Sequence, residues 1–215
     1  MKKNFFILCC FFVVCTLLSA CSKKIDYTNY ISEERYNIYL YSSDDTQIKI
    51  YAEKRENPFC TDGIKGNVEN VIEVFVTLPK TCQKAEIATD VLKGELSYNS
   101  KDCNYYLSGT GTLSGDSVKV KLSVDGEEQS YTATSVLYSG VITPAAALAC
   151  VVERESELME SLTEGNIFKG EIYVRLLYDE GCYYYVGICT RDKKIKAFLV
   201  DGERGKIITT KELNV

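Results

Sequence analysis

Hydrophobic positions recur in three rhythms along this chain, and each rhythm predicts a different element. Near the start they are almost continuous, from Phe5 to Leu18, behind Lys2 and Lys3. From Tyr36 the period is two. Ile38 and Leu40 alternate with Tyr39 and Tyr41, and Ile72, Val74, Val76 and Leu78 share a face opposite Glu73 and Thr77. Leu92, Leu96 and Tyr98 point one way, and Val118, Val120, Leu122 and Val124 alternate with Lys119, Lys121 and Ser123. Asp44-Asp45, Ser114-Gly115-Asp116 and Asp125-Gly126 read as turns. Short alternating strands separated by frequent turns predict an immunoglobulin-like antiparallel β-sandwich over residues 35–139.

At Thr143 the rhythm changes to that of a helix. Thr143 is a fitting N-cap and Pro144 a fitting first helical residue. Leu148, Val151, Val152, Met159 and Leu162 make one face, while Glu153, Glu157 and Glu160 make the other. One helix is expected over Pro144–Thr163, with Gly165 as its stop. Period two then returns: Ile172, Val174, Leu176 and Tyr178; Tyr184, Val186 and Ile188; Ile195, Ala197 and Leu199; and a last strand over Lys206–Thr210. Residues 140–215 therefore read as an α+β unit, one helix packed on a four-stranded antiparallel meander. The chain as a whole is expected to be mostly β.

The opening run is too short to span a bilayer, which takes roughly 20 apolar residues. With its basic flank and the small residues Ser19 and Ala20 it reads as a secretory signal over residues 1–20. Leu18-Ser19-Ala20-Cys21 resembles the lipobox of bacterial lipoproteins. That resemblance implies a diacylglyceryl group on Cys21, two acyl chains being what stable anchoring needs. It also implies an extracytoplasmic domain at the cell membrane, on the cell surface or in the periplasm. Residues 21–34 would then be the lipidated Cys and a polar tether.

Composition narrows the partners. Beyond the signal there are 23 basic and 30 acidic residues, a net charge of −7, and no basic stripe, so nucleic acid is not an expected partner. The membrane, through the lipid on Cys21, and an envelope protein or polymer are. The chain has no His, which removes Ser-His-Asp and Cys-His nucleophiles and imidazole metal sites together. Asp44, Asp45, Asp62 and Asp116 lack the spacing of a calcium loop. No metal or cofactor is expected, and no enzymatic activity.

Six cysteines remain after the signal and Cys21: Cys60, Cys82, Cys103, Cys150, Cys182 and Cys189. Export permits disulfides, and buried free thiols are the alternative. Cys182 and Cys189 are expected roughly 23 Å apart on opposite faces of one strand, and so do not suit each other. Cys150 lies opposite the apolar helical cluster, among Ala146, Ala147 and Ala149. The helix start is therefore expected to wedge between the two units. If Cys150 is oxidised there, its partner would be Cys60, Cys82 or Cys103.

Two surfaces carry candidate function. In Tyr183-Tyr184-Tyr185, alternation puts Tyr183 and Tyr185 on one face, a candidate contact surface if Tyr184 packs under the helix. Phe198–Ile208, a strand ending at Asp201 and turning through Gly202 and Gly205, resembles the closing hairpin of PepSY-like domains. The resemblance spans about Thr143 to Leu213. It implies a regulator of an envelope peptidase, as an alternative to a non-catalytic binding or structural module. A third reading, an enzyme acting on cell-wall glycan, has only the abundance of carboxylates behind it.

Overall fold

The computed structural model describes residues 25–214. The expected signal, Cys21 and the tether residues 22–24 lie outside them. Over the described residues the fold is mostly β, with one large and predominantly antiparallel sheet and two short helices. The strands are β1 Ile31–Ser42, β2 Gln47–Glu56, β3 Val68–Thr77, β4 Ala85–Ala88, β5 Lys93–Glu95, β6 Ser97–Asn99, β7 Asn104–Thr110, β8 Ser117–Val124 and β9 Glu127–Ser135. Helices α1 Pro144–Arg154 and α2 Ser156–Ser161 follow. Then come β10 Thr163–Glu164, β11 Ile167–Phe168, β12 Gly170–Tyr178, β13 Cys182–Thr190, β14 Lys194–Asp201 and β15 Ile207–Asn214.

The tether does not extend to Glu34. A 3-10 turn, Tyr27–Tyr30, is capped by Asp26, whose carboxylate accepts from the Thr28 amide at 3.0 Å, and it runs straight into β1. Ser32 and Glu33 are polar but buried, because each has a partner: Ser32 Oγ donates to the buried Glu171 at 2.5 Å, and the half-buried Arg175 pairs with Glu33. Their polarity signals pairing, not solvation.

β1 joins the two expected units into one sheet. Its first half pairs in parallel with β12, Ile31 opposite Ile172 and Arg35 opposite Arg175. Its second half pairs antiparallel with β9, Tyr39 opposite Ser135. Along its other edge it pairs with β2, with an irregularity between Arg35 and Asn37. Hydrogen bonding therefore runs from β15 through β14, β13, β12, β1, β2, β3 and β7 to β6, with β9, β8, β4 and β5 branching from β1.

The branch folds back over β2 and β3. Ile50, Ile72 and Val74 meet Ile87, Val120 and Leu122 in one core. Lys119 and Lys121 face solvent, as the alternation requires. Tyr98, expected to share a face with Leu96, is exposed: Leu96 lies in the break between β5 and β6, and the shared face ends there.

The second core packs Leu148, Val151 and Met159 against Ile172, Val174, Tyr184, Val186, Phe198 and Val200. The Thr143 cap and Pro144 start are present, with Thr143 Oγ1 accepting from the Ala146 amide at 3.2 Å. The single expected helix is two. The chain leaves helical geometry at Glu155 (φ −106°, ψ 34°), whose carboxylate is held 2.6 Å from Lys196 Nζ. Gly165 is not a helix stop; at φ +60° it belongs to the turn of the β10–β11 hairpin. The meander β12–β15 is antiparallel throughout. Tyr178, expected inward, is exposed at the last position of β12.

All six described cysteines are free thiols. Cys150 does not wedge against the expected sandwich unit. Its Sγ lies 3.1 Å from where a Cβ on Gly205 would sit, so α1 rests that side on the β14–β15 turn of its own unit, whose glycine leaves the room. Cys182 and Cys189 are buried in different cores on opposite faces of β13. Among the described residues no helix is long and apolar enough to cross a membrane.

Candidate functional site

Neighbouring strands place charged and aromatic residues at one parity, and register brings them into a band. Arg175 of β12 stands beside Arg35 of β1, and Arg35 beside Glu53 of β2. Tyr51 stands beside Glu73 of β3, and Phe75 beside Tyr106 of β7. Side chains alternate across a strand, so this band occupies the sheet face opposite Ile50, Val74 and Ile172. The helices and the β4–β8 branch pack on those residues. The band's own face is crossed by the β2–β3 loop, residues 57–67.

The long side chains pack against one another along the sheet. Glu53 is 0% exposed, Glu33 3% and Glu73 8%. Arg35 Nε donates to Glu53 Oε1 at 2.6 Å, and Arg55 Nη1 stands 3.6 Å from Glu53 Oε2. Arg55 Nη1 donates to Glu73 Oε1 at 2.9 Å, and the Tyr106 hydroxyl donates to the same oxygen at 2.8 Å. Arg175 holds Glu33 with two donors, Nε at 2.7 Å and Nη2. Such forked pairs fix geometry as well as charge.

The rings complete the band. The Arg35 guanidinium lies 3.8 Å from the Tyr51 ring centre. Tyr51 meets Phe75 at 5.3 Å, and Phe75 meets Tyr106 at 5.1 Å. Arg175 sits 5.5 Å from the Tyr173 ring and 5.3 Å from the Tyr185 ring. Gly187 makes this possible: a Cβ there would come within 2.9 Å of Tyr185 Cε1 and 3.1 Å of Tyr173 Cδ2.

Burial sets the electrostatics. It pushes the Glu53 carboxyl above its usual range, with Glu73 and Glu33 adding to the rise and Arg35 opposing it. Burial works against the Arg175 charge, but the Glu33 pair outweighs it and the guanidinium is held more firmly protonated. Burial also raises the Tyr51, Tyr106 and Tyr185 phenols. The carboxylates are tied to arginines, so what the band offers a partner is ring faces and guanidinium planes.

At one end the band is closed over by loop 57–67. Glu171, fully buried, accepts from the Gly63 amide at 3.0 Å as well as from Ser32. Phe59 of the loop meets the Tyr173 ring at 6.1 Å. Burial and the Glu171 carboxylate push the Tyr173 phenol far above its usual value.

The expected pair Tyr183 and Tyr185 lies half-buried on the band's face. Tyr184 packs under the helices, its hydroxyl donating to the Ile142 carbonyl at 2.7 Å. The arginines and glutamates were not anticipated, although their signal is in the sequence: Glu33-x-Arg35, Tyr51-x-Glu53-x-Arg55 and Tyr173-x-Arg175 all repeat at strand period. Asp62 serves as a turn residue, accepting from the Ile64 amide at 2.9 Å. Among the described residues no group of three or more Cys, Asp or Glu is placed to hold a metal ion.

A separate groove of about 870 Å³ runs between the helices and the N-terminal segment. Ile25, Leu148, Ala149, Val152 and Met159 line it, with Asp26, Glu153 and Glu160 also bordering it. In comparisons with protein-family models, curated proteins and solved structures, nothing matches this chain.

Proposed function

We propose that this protein is a non-catalytic, lipid-anchored binding module of the bacterial cell envelope. Its contact surface is the Arg-Tyr band, and the curled, sandwich-like arm of the sheet is its scaffold. One observation carries the reading: a half-buried sheet face that concentrates arginine and tyrosine in fixed geometry. Those residue types dominate the energetics of protein interfaces. Their pre-paired, mutually packed side chains also lose little entropy on contact.

The anchor and the contact surface are tested separately. Mass spectrometry of the mature N-terminus should find lipidated Cys21; any other terminus overturns the anchor. A photo-cross-linker at Tyr183, on intact cells, should capture one discrete envelope protein or polymer, and Tyr185→Ala should abolish that product. A product unaffected by Tyr185→Ala, or none above the level given by a probe at exposed Lys119, overturns the contact surface.

A second reading, a PepSY-like peptidase regulator, rests on the β14–β15 hairpin. Its turn is held by Asp201, whose carboxylate accepts from the Glu203 and Arg204 amides at 2.9 Å each. Its test needs the whole chain from Cys21, because cutting at residue 139 strips β1 from β12. Slowing of an envelope peptidase by that chain would favour it, and a clean negative panel would dispose of it.

A further inference from the structure

The groove beside the helices lies where the chain enters the fold. Ile25 and Tyr27 both line it and pack into the helix-side core. The Tyr27 ring meets Phe168 edge-on at 5.4 Å, and the Tyr30 hydroxyl accepts from the Phe168 amide at 3.2 Å. This entry point is therefore held firmly, and Cys21 stands only four residues before Ile25. At no more than about 3.5 Å per residue, Cys21 cannot lie more than about 14 Å from Ile25 along the chain.

The groove is built for an amphipathic occupant. Val152 and the small, exposed Ala149 give it an apolar surface above the buried Leu148 and Met159. The carboxylates of Glu153 and Glu160 are exposed and form no salt bridge with any described residue within 4.0 Å. The segment just before Ile25 reads Cys21-Ser22-Lys23-Lys24, two cations close to the cysteine.

We propose that the groove seats the chain's own anchor segment, Cys21–Lys24. Lys23 and Lys24 face Glu153 and Glu160, and the proximal part of an acyl chain on Cys21 lies over Leu148, Ala149 and Val152. Exposed ion pairs alone are weak. Here they act on a segment already tethered within reach, so a small attraction is enough to seat it. Each methylene laid on that surface adds up to the usual apolar contribution. The inference rests on the lipoprotein reading.

The test uses the full-length lipidated protein in its own membrane, with a benzophenone side chain in place of Ala149. Irradiation should join that position to the Ser22–Lys24 peptide or to the acyl chain of the same molecule, as mapped by mass spectrometry. Glu153→Lys with Glu160→Lys should lower that yield several-fold, with the circular dichroism spectrum unchanged. Products formed only with bulk membrane lipid, with a second copy or with another protein would overturn the proposal, as would no product or a yield indifferent to charge reversal. The mass of the mature N-terminus, read on the same sample, separates the two ideas. A lipidated Cys21 without the cross-link sinks the groove alone, and an unmodified terminus sinks the anchor and the acyl contact with it.

Discussion

Arg35→Met is the most direct test of the band. It removes the 2.6 Å partner of a carboxylate that is 0% exposed while keeping an unbranched side chain to lie along Tyr51. Stripping one partner from a buried ion pair costs about 3–5 kcal/mol, since the other charge stays buried and uncompensated. Arg55, 3.6 Å from the second oxygen of Glu53, remains to offset part of this, so a smaller cost is expected, about 2–3 kcal/mol. For a domain of this size that corresponds to a fall of about 5–10 °C in Tm. Arg35→Met with Glu53→Met should recover to within about 1 kcal/mol of the parent, because an apolar pair of similar volume is often as stable as a buried ion pair. The deficit should also depend on pH. Burial raises the Glu53 carboxyl above its unfolded value. Its contribution to stability is therefore complete below the unfolded value and is lost as pH rises through the folded one. Protonation relieves the unpaired charge in Arg35→Met, so the gap between variant and parent should narrow as pH falls from 7 toward 5. Urea unfolding at several pH values measures both effects. A deficit under about 1 kcal/mol, or one that does not change with pH, would mean that Glu53 does not depend on Arg35.

Three further outcomes follow from neighbouring contacts. Glu171→Gln leaves one acceptor oxygen for two donors, Ser32 Oγ and the Gly63 amide. It should cost about 1–3 kcal/mol and speed hydrogen exchange at Gly63; unchanged protection there would show that Glu171 does not hold the loop. Gly187→Ala forces the Tyr173 and Tyr185 rings off the sheet and should cost about 1–3 kcal/mol as overpacking, with a changed near-ultraviolet tyrosine spectrum. Wild-type melting and spectrum together would show that the rings do not depend on that gap. In thiol labelling of the native protein, exposed Cys60 and Cys103 should react first. Buried Cys182 and Cys189, whose thiols burial pushes above their usual value, should react only on unfolding, and early modification of Cys189 would contradict its place under the β2–β3 loop.

Much of the strand pattern was legible because alternation is a local property. Lys119 and Lys121 had only to face away from Val118, Val120 and Leu122, and the three tyrosines at 183–185 only to alternate. The Thr143 cap and Pro144 start were legible for the same reason. What stayed hidden depends on pairings between distant residues. Nothing near Ser32 and Glu33 reveals that β12, some 140 positions on, supplies their partners, so by sequence alone this polar run reads as a tether. The same blindness separated two units that β1 joins. It also left Cys150 facing a supposed domain interface when the β14–β15 turn was its neighbour. The band failed to show for a related reason. Each of its strands carries a visible polar parity, but only register aligns those parities into one face, and a polar parity by itself reads as solvent-facing.

Because β1 serves both halves, the position of the N-terminus and the direction of the band are linked. Ile25 and Tyr27 pack on the helix side of the sheet with Phe168. A few residues later the chain has become β1, and Glu33 and Arg35 emerge on the opposite face beside Tyr173 and Arg175. An anchor at Cys21, with three residues between it and Ile25, would hold the helix side nearest the membrane. The same sheet that carries the anchor's strain would then turn the Arg-Tyr band away from the bilayer. A long tether would leave that orientation free; a short one would link it to the fold. If Cys21 carries the anchor, lengthening the segment between it and Ile25 with a flexible insert should leave folding and the anchor intact. It should also raise labelling of the helix face by a membrane-impermeant reagent, read at a reactive residue placed at Ala149. Equal labelling with and without the insert would mean that the membrane does not sense which face of the sheet the chain enters from.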